Sequence, residues 1–233
     1  MKNASATLIE IYSHISSNHP ELKEQLLKNN SNDNGISPAD VEMFNIFKEW
    51  QSRQFRMPCP HFIKQANVLR QGSSIATWIE TGTFLGDTTA LLAATGNQVY
   101  TIEPGESLYS RAVKRFENSR HVHVINDLSE NVLPKLLPTL SGNVNFWLDG
   151  HFSSGITHQG PLDTPLVEEL QAISDNIKIF DQVAVIVDDI RVCDYLHSEY
   201  NSAYPSLDYL VDWARGINLS WRIELDSFIA KSI

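Results

Sequence analysis

Ala76-Thr-Trp-Ile-Glu80-Thr-Gly82-Thr-Phe-Leu-Gly86-Asp87 is the stretch on which the fold turns. A β-type run ends in Glu80, the chain turns through Gly82 and Gly86, and the helical run Asp87-Thr-Thr-Ala-Leu-Leu-Ala-Ala begins at once. Glycine in such a turn permits positive φ and lets a ligand come close to the main chain. The helix that follows directs free N–H groups and the positive end of its dipole toward whatever lies over the turn. Strand, glycine loop and helix in this order form a nucleotide-binding unit. The spacing, Glu-x-Gly-x-x-x-Gly, differs from the Gly-x-Gly-x-x-Gly of dinucleotide enzymes.

Working outward, Gln98-Val-Tyr-Thr-Ile-Glu103 alternates and ends in an acid 21 positions after Gly82. An acid there, at the end of a second strand, is placed to accept the hydroxyls of a ribose. His121 to Asp127 reads as a third strand, Val144 to Asp149 as a fourth and Val183 to Asp188 as a fifth. Helices are expected after Gly86, from Ser107, from Ser129 with Pro134 inside it, from Asp163 and over 206–215. This alternation argues an α/β fold, a Rossmann-like doubly wound sheet with right-handed crossovers. In such a sheet the ligand crevice lies outside the carboxyl ends of the strands, so the strand-end acids converge on one rim. The tail Trp221 to Lys231 fits either one long strand or a tight hairpin.

The ordered set Glu80-x-Gly82-x-x-x-Gly86, Ile-Glu103-Pro, Asn-Asp127-Leu-Ser, Trp-Leu-Asp149-Gly-His151 and Val-Asp188-Asp189 resembles a class I S-adenosylmethionine-dependent methyltransferase. Within that class it is similar to the metal-dependent small-molecule O-methyltransferases, the macrolide-sugar, rhamnosyl and cephalosporin-hydroxylase-like group. The resemblance spans residues 76–191. It implies a mostly parallel sheet with an antiparallel last strand and S-adenosyl-L-methionine as cofactor. It assigns the donor to Glu80, Gly82, Thr83, Gly86, Glu103, Asp127, Leu128 and Asp149. It also implies a site for Mg²⁺ or Mn²⁺ on Asp149, Asp188 and Asp189, whose hard oxygen ligands suit such ions. The family often has Glu before Asp at the second pair, and Asp188-Asp189 shortens that reach.

Methyl transfer from a sulfonium is an in-line displacement in which positioning supplies most of the acceleration. A hydroxyl acceptor must also lose its proton, to a base, to a metal-lowered pKa, or to both. Asp149 and His151 are the candidate catalytic residues, His151 as general base because histidine titrates near neutrality. His158 lies in the same Gly- and Ser-rich loop. Ordinary readings stand beside these. Glu80 also serves as a brace for the glycine loop, Asp87 and Asp163 as helix caps, Trp147 as core, and His61, His121 and His123 as non-catalytic.

Residues 1–72 read as an N-terminal helical extension or cap and 73–233 as the cofactor-binding domain. Val41, Phe44, Phe47 and Trp50 form an aromatic stripe that suits a core, a homodimer partner or a lid. A net charge of -10 argues against nucleic-acid and anionic-membrane partners. There is no apolar run of membrane-spanning length and no signal-peptide pattern, and the two cysteines form no framework, so a cytoplasmic setting is expected. The acceptor is expected to be a small molecule, its pocket drawing on Arg191, Tyr195, His197, Tyr200 and Tyr204. Other readings are a metal-independent methyltransferase, a member that binds the cofactor without turnover, and a nicotinamide-dependent oxidoreductase on the same sheet. Against the last stand the missing Gly-x-Gly-x-x-Gly and the lack of a Tyr-x-x-x-Lys pair.

Overall fold

The computed structural model describes residues 45–46, 48–54, 56–150, 164–193 and 204–232. After helical turns at 48–52, the elements are α1 (His61–Gln71), β1 (Thr77–Thr81), α2 (Asp87–Ala93), β2 (Val99–Ile102), α3 (Glu106–Phe116), β3 (Val122–Ile125), α4 (Ser129–Leu136), β4 (Gly142–Leu148), α5 (Leu166–Asn176), β5 (Phe180–Val187), α6 (Leu207–Gly216), β6 (Ser220–Glu224) and β7 (Ser227–Lys231). The strands form one seven-stranded sheet in the order β3-β2-β1-β4-β5-β7-β6. The first five are parallel, while β7 runs antiparallel to both β5 and β6. This is the Rossmann-like doubly wound fold expected, with its antiparallel last strand.

Burial explains the order. From Val183 to Val187 every side chain of β5 is buried, as a parallel strand covered on both faces requires. The edge strand β6 instead exposes Trp221, Arg222 and Ile223, and its charges discourage pairing with another chain. The tail is a hairpin. Glu224 pairs with Ser227, and Leu225 and Asp226 between them take φ of 50° and 66°, the positive values of a two-residue loop whose twist matches the strands.

One face of the sheet packs Trp78, Trp147, Ile186 and Ile229 against Val68, Leu69 and Leu92 of α1 and α2. The other packs Ile79, Phe146, Val185 and Phe228 against Leu133, Leu170, Ile173 and Leu210 of α4, α5 and α6. Helix α1 was not anticipated, and it is part of the first layer. Trp50, the one described member of the aromatic stripe, packs on Cys59 and Ile63 and donates its indole N–H to the Arg56 carbonyl at 2.9 Å. The other stripe residues lie outside the described residues. Among the described residues, no helix is long and apolar enough to cross a membrane.

Candidate functional site

The strand order reverses between β1 and β4, with β2 and β3 following on one side and β5 on the other. Connections leave such a switch point in opposite directions and open a crevice above the strand ends. Gly82 sits there with φ of 84°. A Cβ at this position would lie 2.5 Å from the Asp149 carbonyl oxygen, so only glycine lets β1 and β4 continue this close together. The Asp149 N–H donates to the Thr81 carbonyl at 3.1 Å across the same gap. Gly86 caps α2 in the left-handed conformation, and its N–H donates to the Thr83 carbonyl at 2.8 Å. A Cβ there would come within 2.9 Å of the Phe116 ring.

Beneath the loop lies Glu80, 1 % exposed. Its Oε2 accepts hydrogen bonds from Thr89 of α2 at 2.5 Å and from Thr101 of β2 at 2.7 Å. Burial pushes its carboxyl up to about 7, against the pull of those two hydroxyls. Thr83 is also buried, its hydroxyl 2.5 Å from that of Thr101. Both residues hold the loop to the strands below it.

At the end of β2, the buried Glu103 accepts the Phe84 N–H at Oε2 and the Gly105 N–H at Oε1, both at 2.9 Å. The Asn126 amide donates to the Glu103 carbonyl at 2.8 Å, tying the ends of β2 and β3. Asp127 Oδ1 accepts from the Asn131 amide at 2.9 Å and from the Leu128 N–H at 2.8 Å. These bonds, that of Asn131 first, hold its carboxyl below the ordinary range. Asp87 does not cap α2 through its side chain; it pairs with Arg115 at 2.7 Å.

Sequence reading missed one buried acid at this rim. Glu169, on α5, is 1 % exposed. Its Oε1 and the Thr81 hydroxyl have no hydrogen-bond partner, and a Cβ on Gly150 would meet both, at 3.3 and 3.1 Å. Burial pushes Glu169 up to about 7, although the Ser129 and Thr81 hydroxyls nearby favour its ionised form. The signal was a second acid in Val167-Glu-Glu169, where the helical period turns Glu169 inward with Leu166, Leu170 and Ile173.

The end of β5 holds a different arrangement. Lys64 of α1, 8 % exposed, places Nζ 2.8 Å from Asp188 Oδ2 and 2.5 Å from Asp189 Oδ1. Arg191 grips both oxygens of Asp189, at 2.5 and 2.8 Å, and also pairs with Asp226. Burial alone would lower the Lys64 pKa, but the two carboxylates outweigh it and raise it. Asp188 is pushed up by burial and by Asp189, with Lys64 opposing. The set expected for Mg²⁺ or Mn²⁺ is therefore not assembled. Among the described residues no three His, Cys, Asp or Glu side chains form a group able to hold a metal. Asp188 and Asp189 are held by cations from the protein itself, and Arg191, expected in the acceptor pocket, is engaged with Asp189 and Asp226. His151, His158, Asp163, Tyr195, His197 and Tyr200 lie outside the described residues.

The histidines of β3 have ordinary partners, His121 the Ala93 carbonyl at 2.8 Å and His123 the stacked ring of Tyr100. Trp147 is core, 2 % exposed.

No protein-family model matches the chain, and no curated protein does. Among solved structures, the chain is similar to an rRNA methylase from Streptococcus thermophilus, at 14 % identity over 76 % of this chain and 96 % of that one, with a TM-score of 0.42. It is also similar to Aeropyrum pernix fibrillarin with bound S-adenosyl-L-methionine, at 12 % identity over 73 % and 74 %, TM-score 0.45. A third is precorrin-6y C5,15-methyltransferase from Geobacter metallireducens, at 10 % identity over 72 % and 84 %, TM-score 0.45. At these values the likeness assigns no residue role and no substrate to this chain.

Proposed function

We propose that the chain is an S-adenosylmethionine-dependent methyltransferase of the class I type, acting on a hydroxyl of a small molecule or sugar. Residues 73–233 form its cofactor-binding domain together with α1, which packs on the sheet, and the rest of residues 1–72 forms its cap. The observation that carries this reading is the sign of the charge at the switch point. Glu80, Glu103, Asp127 and Asp149 come from β1 to β4 and their ends, and Glu169 stands behind them. Arg115, beside the glycine loop, is engaged by Asp87 and by the Leu85 carbonyl. Acidic surroundings of this kind suit a sulfonium that also carries an ammonium group and disfavour the pyrophosphate of a dinucleotide.

In this reading Glu103 receives the ribose hydroxyls, and Gly82 and Gly86 let the donor approach the main chain. Thr83 keeps the loop in shape, Asp127 and Leu128 meet the base edge, and Glu80 and Asp149 flank the amino end. The donor supplies an electrophilic methyl group on a positively charged sulfur. The chain holds the acceptor in line and excludes water, and His151, two residues past Asp149, takes the hydroxyl proton. Among the described residues, Lys64 and Arg191 engage the acids at the end of β5 that a divalent ion would need, so the reading does not rest on one. The net charge of -10 favours a small acceptor over a polyanion.

Calorimetric titration with S-adenosylmethionine and S-adenosylhomocysteine tests the reading. Micromolar binding to the wild type, weakened at least about tenfold in Glu103→Ala (about 1.4 kcal/mol), is expected. Failure of a folded protein to bind either compound would overturn it, and nicotinamide dinucleotides would be titrated next.

A further inference from the structure

The acids at the end of β5 raise a question of charge. Asp188, Asp189 and Asp226 are all buried, and ionised carboxylates are costly to bury unless paired. Among the described residues, two cations reach them. Arg191 spends its fork on Asp189 and pairs with Asp226, while its backbone N–H donates to Asp226 Oδ1 at 3.2 Å. Lys64 bridges Asp188 and Asp189. Among the described residues, three carboxylates therefore face two cations. One carboxylate oxygen, Asp188 Oδ1, is left buried without a hydrogen-bond partner.

Lys64 arrives there from a different part of the chain. On α1 it shares the inward face with Ile63, Asn67, Val68 and Gln71. Asn67 and Gln71 are tied to β6 through Glu224, at 3.5 and 3.3 Å, and Arg70 pairs with Glu224 as well. The helix is thus fixed to the sheet by side chains on either side of its turn, and the Lys64 ammonium is delivered to a set position. Position matters more than charge alone. A hard divalent ion binds carboxylate oxygens at about 2.0–2.6 Å and needs six or more oxygens. The bridging point between Asp188 Oδ2 and Asp189 Oδ1, the natural one for such an ion, is where Nζ stands. The second oxygen of Asp189 is gripped by Arg191. An ion added beside them would lie within a few ångströms of an ammonium and a guanidinium, in surroundings that screen such repulsion poorly.

We propose that Lys64 is the resident cation of the strand-end acid site, standing where a divalent metal would bridge Asp188 and Asp189 and excluding it. The inference concerns the same rim as the methyltransferase reading but does not depend on the donor. What the lysine supplies is one fixed positive charge that cannot be chelated away. It also orients Asp188.

The test is a Mn²⁺ titration followed by electron paramagnetic resonance, with neither donor nor acceptor present. The wild type is expected to show no saturable binding up to about 1 mM, the weak end of protein sites for such ions. Lys64→Met, which removes the charge and keeps the stem, is expected to gain at least about tenfold in Mn²⁺ affinity. Lys64→Met/Asp188→Asn is expected to lose that gain. Because the single variant leaves buried acids exposed to repulsion and could fail to fold, the wild type carries a second measurement. Amine labelling read at Lys64 by mass spectrometry is expected to be low and unchanged by about 1 mM Mn²⁺. Stoichiometric micromolar Mn²⁺ binding by the wild type overturns the proposal. So does labelling of Lys64 that rises with Mn²⁺, or a folded Lys64→Met that gains no affinity. Since no methyl donor enters these assays, failure here and failure of the methyltransferase reading are told apart.

Discussion

Glu80→Gln should flatten the pH dependence of stability. The wild-type carboxyl is fully buried and pushed from an ordinary value near 4.5 to about 7, burial being the main cause and the Glu103 charge adding to it. A folded-state value above the unfolded one means that the native chain holds more protons between those limits. The stability contributed by the neutral acid is fully present below about 4.5 and is lost as pH rises through about 7. A displacement of about 2.5 pH units at about 1.4 kcal/mol each corresponds to about 3.5 kcal/mol. Glu169, also pushed to about 7, contributes a loss of similar size over the same window. Glutamine keeps an oxygen for the Thr89 and Thr101 hydroxyls and has no proton to lose. Its amide adds a cost that is the same at every pH, so the difference in slope isolates the titration. Urea unfolding of the ligand-free protein at pH 5, 6, 7 and 8 measures it. The gap between wild type and variant should move by about 2.5 kcal/mol in favour of the variant from pH 5 to pH 8. A gap that stays constant across that range would refute the buried-acid argument.

Three other substitutions probe the same construction. Gly82→Ala places a Cβ 2.5 Å from the Asp149 carbonyl at a φ of 84°; it should cost about 3 kcal/mol or more in urea unfolding and abolish donor binding by calorimetry. Thr101→Val keeps the shape but removes the hydroxyl that serves Glu80 and Thr83. It should destabilise by about 1–3 kcal/mol at pH 8 and less at pH 5, because the orphaned group is then neutral. Leu170→Ala, at a fully buried position between α5 and the sheet, should cost about 2–5 kcal/mol. Affinity for S-adenosylhomocysteine should stay within about twofold in this variant, well under the tenfold that 1.4 kcal/mol represents.

The sheet was legible because its signals are local. Each strand announces itself as a short apolar run, and each turn by a glycine or an acid, so β1 to β5 fall within a few residues of the expected positions. The hairpin was ambiguous for a physical reason. Leu225 and Asp226 adopt positive φ without the glycine or asparagine that usually marks such a turn, and what secures Asp226 is Arg191, 35 positions away. The rim acids were legible by position but not by partner. Sequence places Glu103 at the end of β2; it does not say that the Phe84 and Gly105 N–H groups will hold it. Lys64 escaped notice because a lysine in His61-Phe-Ile-Lys-Gln-Ala-Asn-Val reads as a solvated surface residue. The available hint was that Lys64, Asn67 and Gln71 share a helical face with Val68, which makes that face polar and buried at once.

The rim therefore divides by how its charge is managed. At the end of β5 the acids meet cations drawn from α1 and from Arg191, so much of their charge is offset before any ligand arrives. Glu80 instead accepts from the Thr89 and Thr101 hydroxyls, and Asp127 from the Leu128 N–H and the Asn131 amide, groups that orient an acid without supplying charge. Glu80 and Glu169, near 7, can lower their cost of burial by taking a proton, and a cation above them would favour giving it up again. In the methyltransferase proposal, a sulfonium donor and the neutral thioether it leaves behind differ by one positive charge. On that proposal, acids poised in this way would hold the first more tightly than the second, so the same burial that costs stability at high pH would help the spent donor to leave.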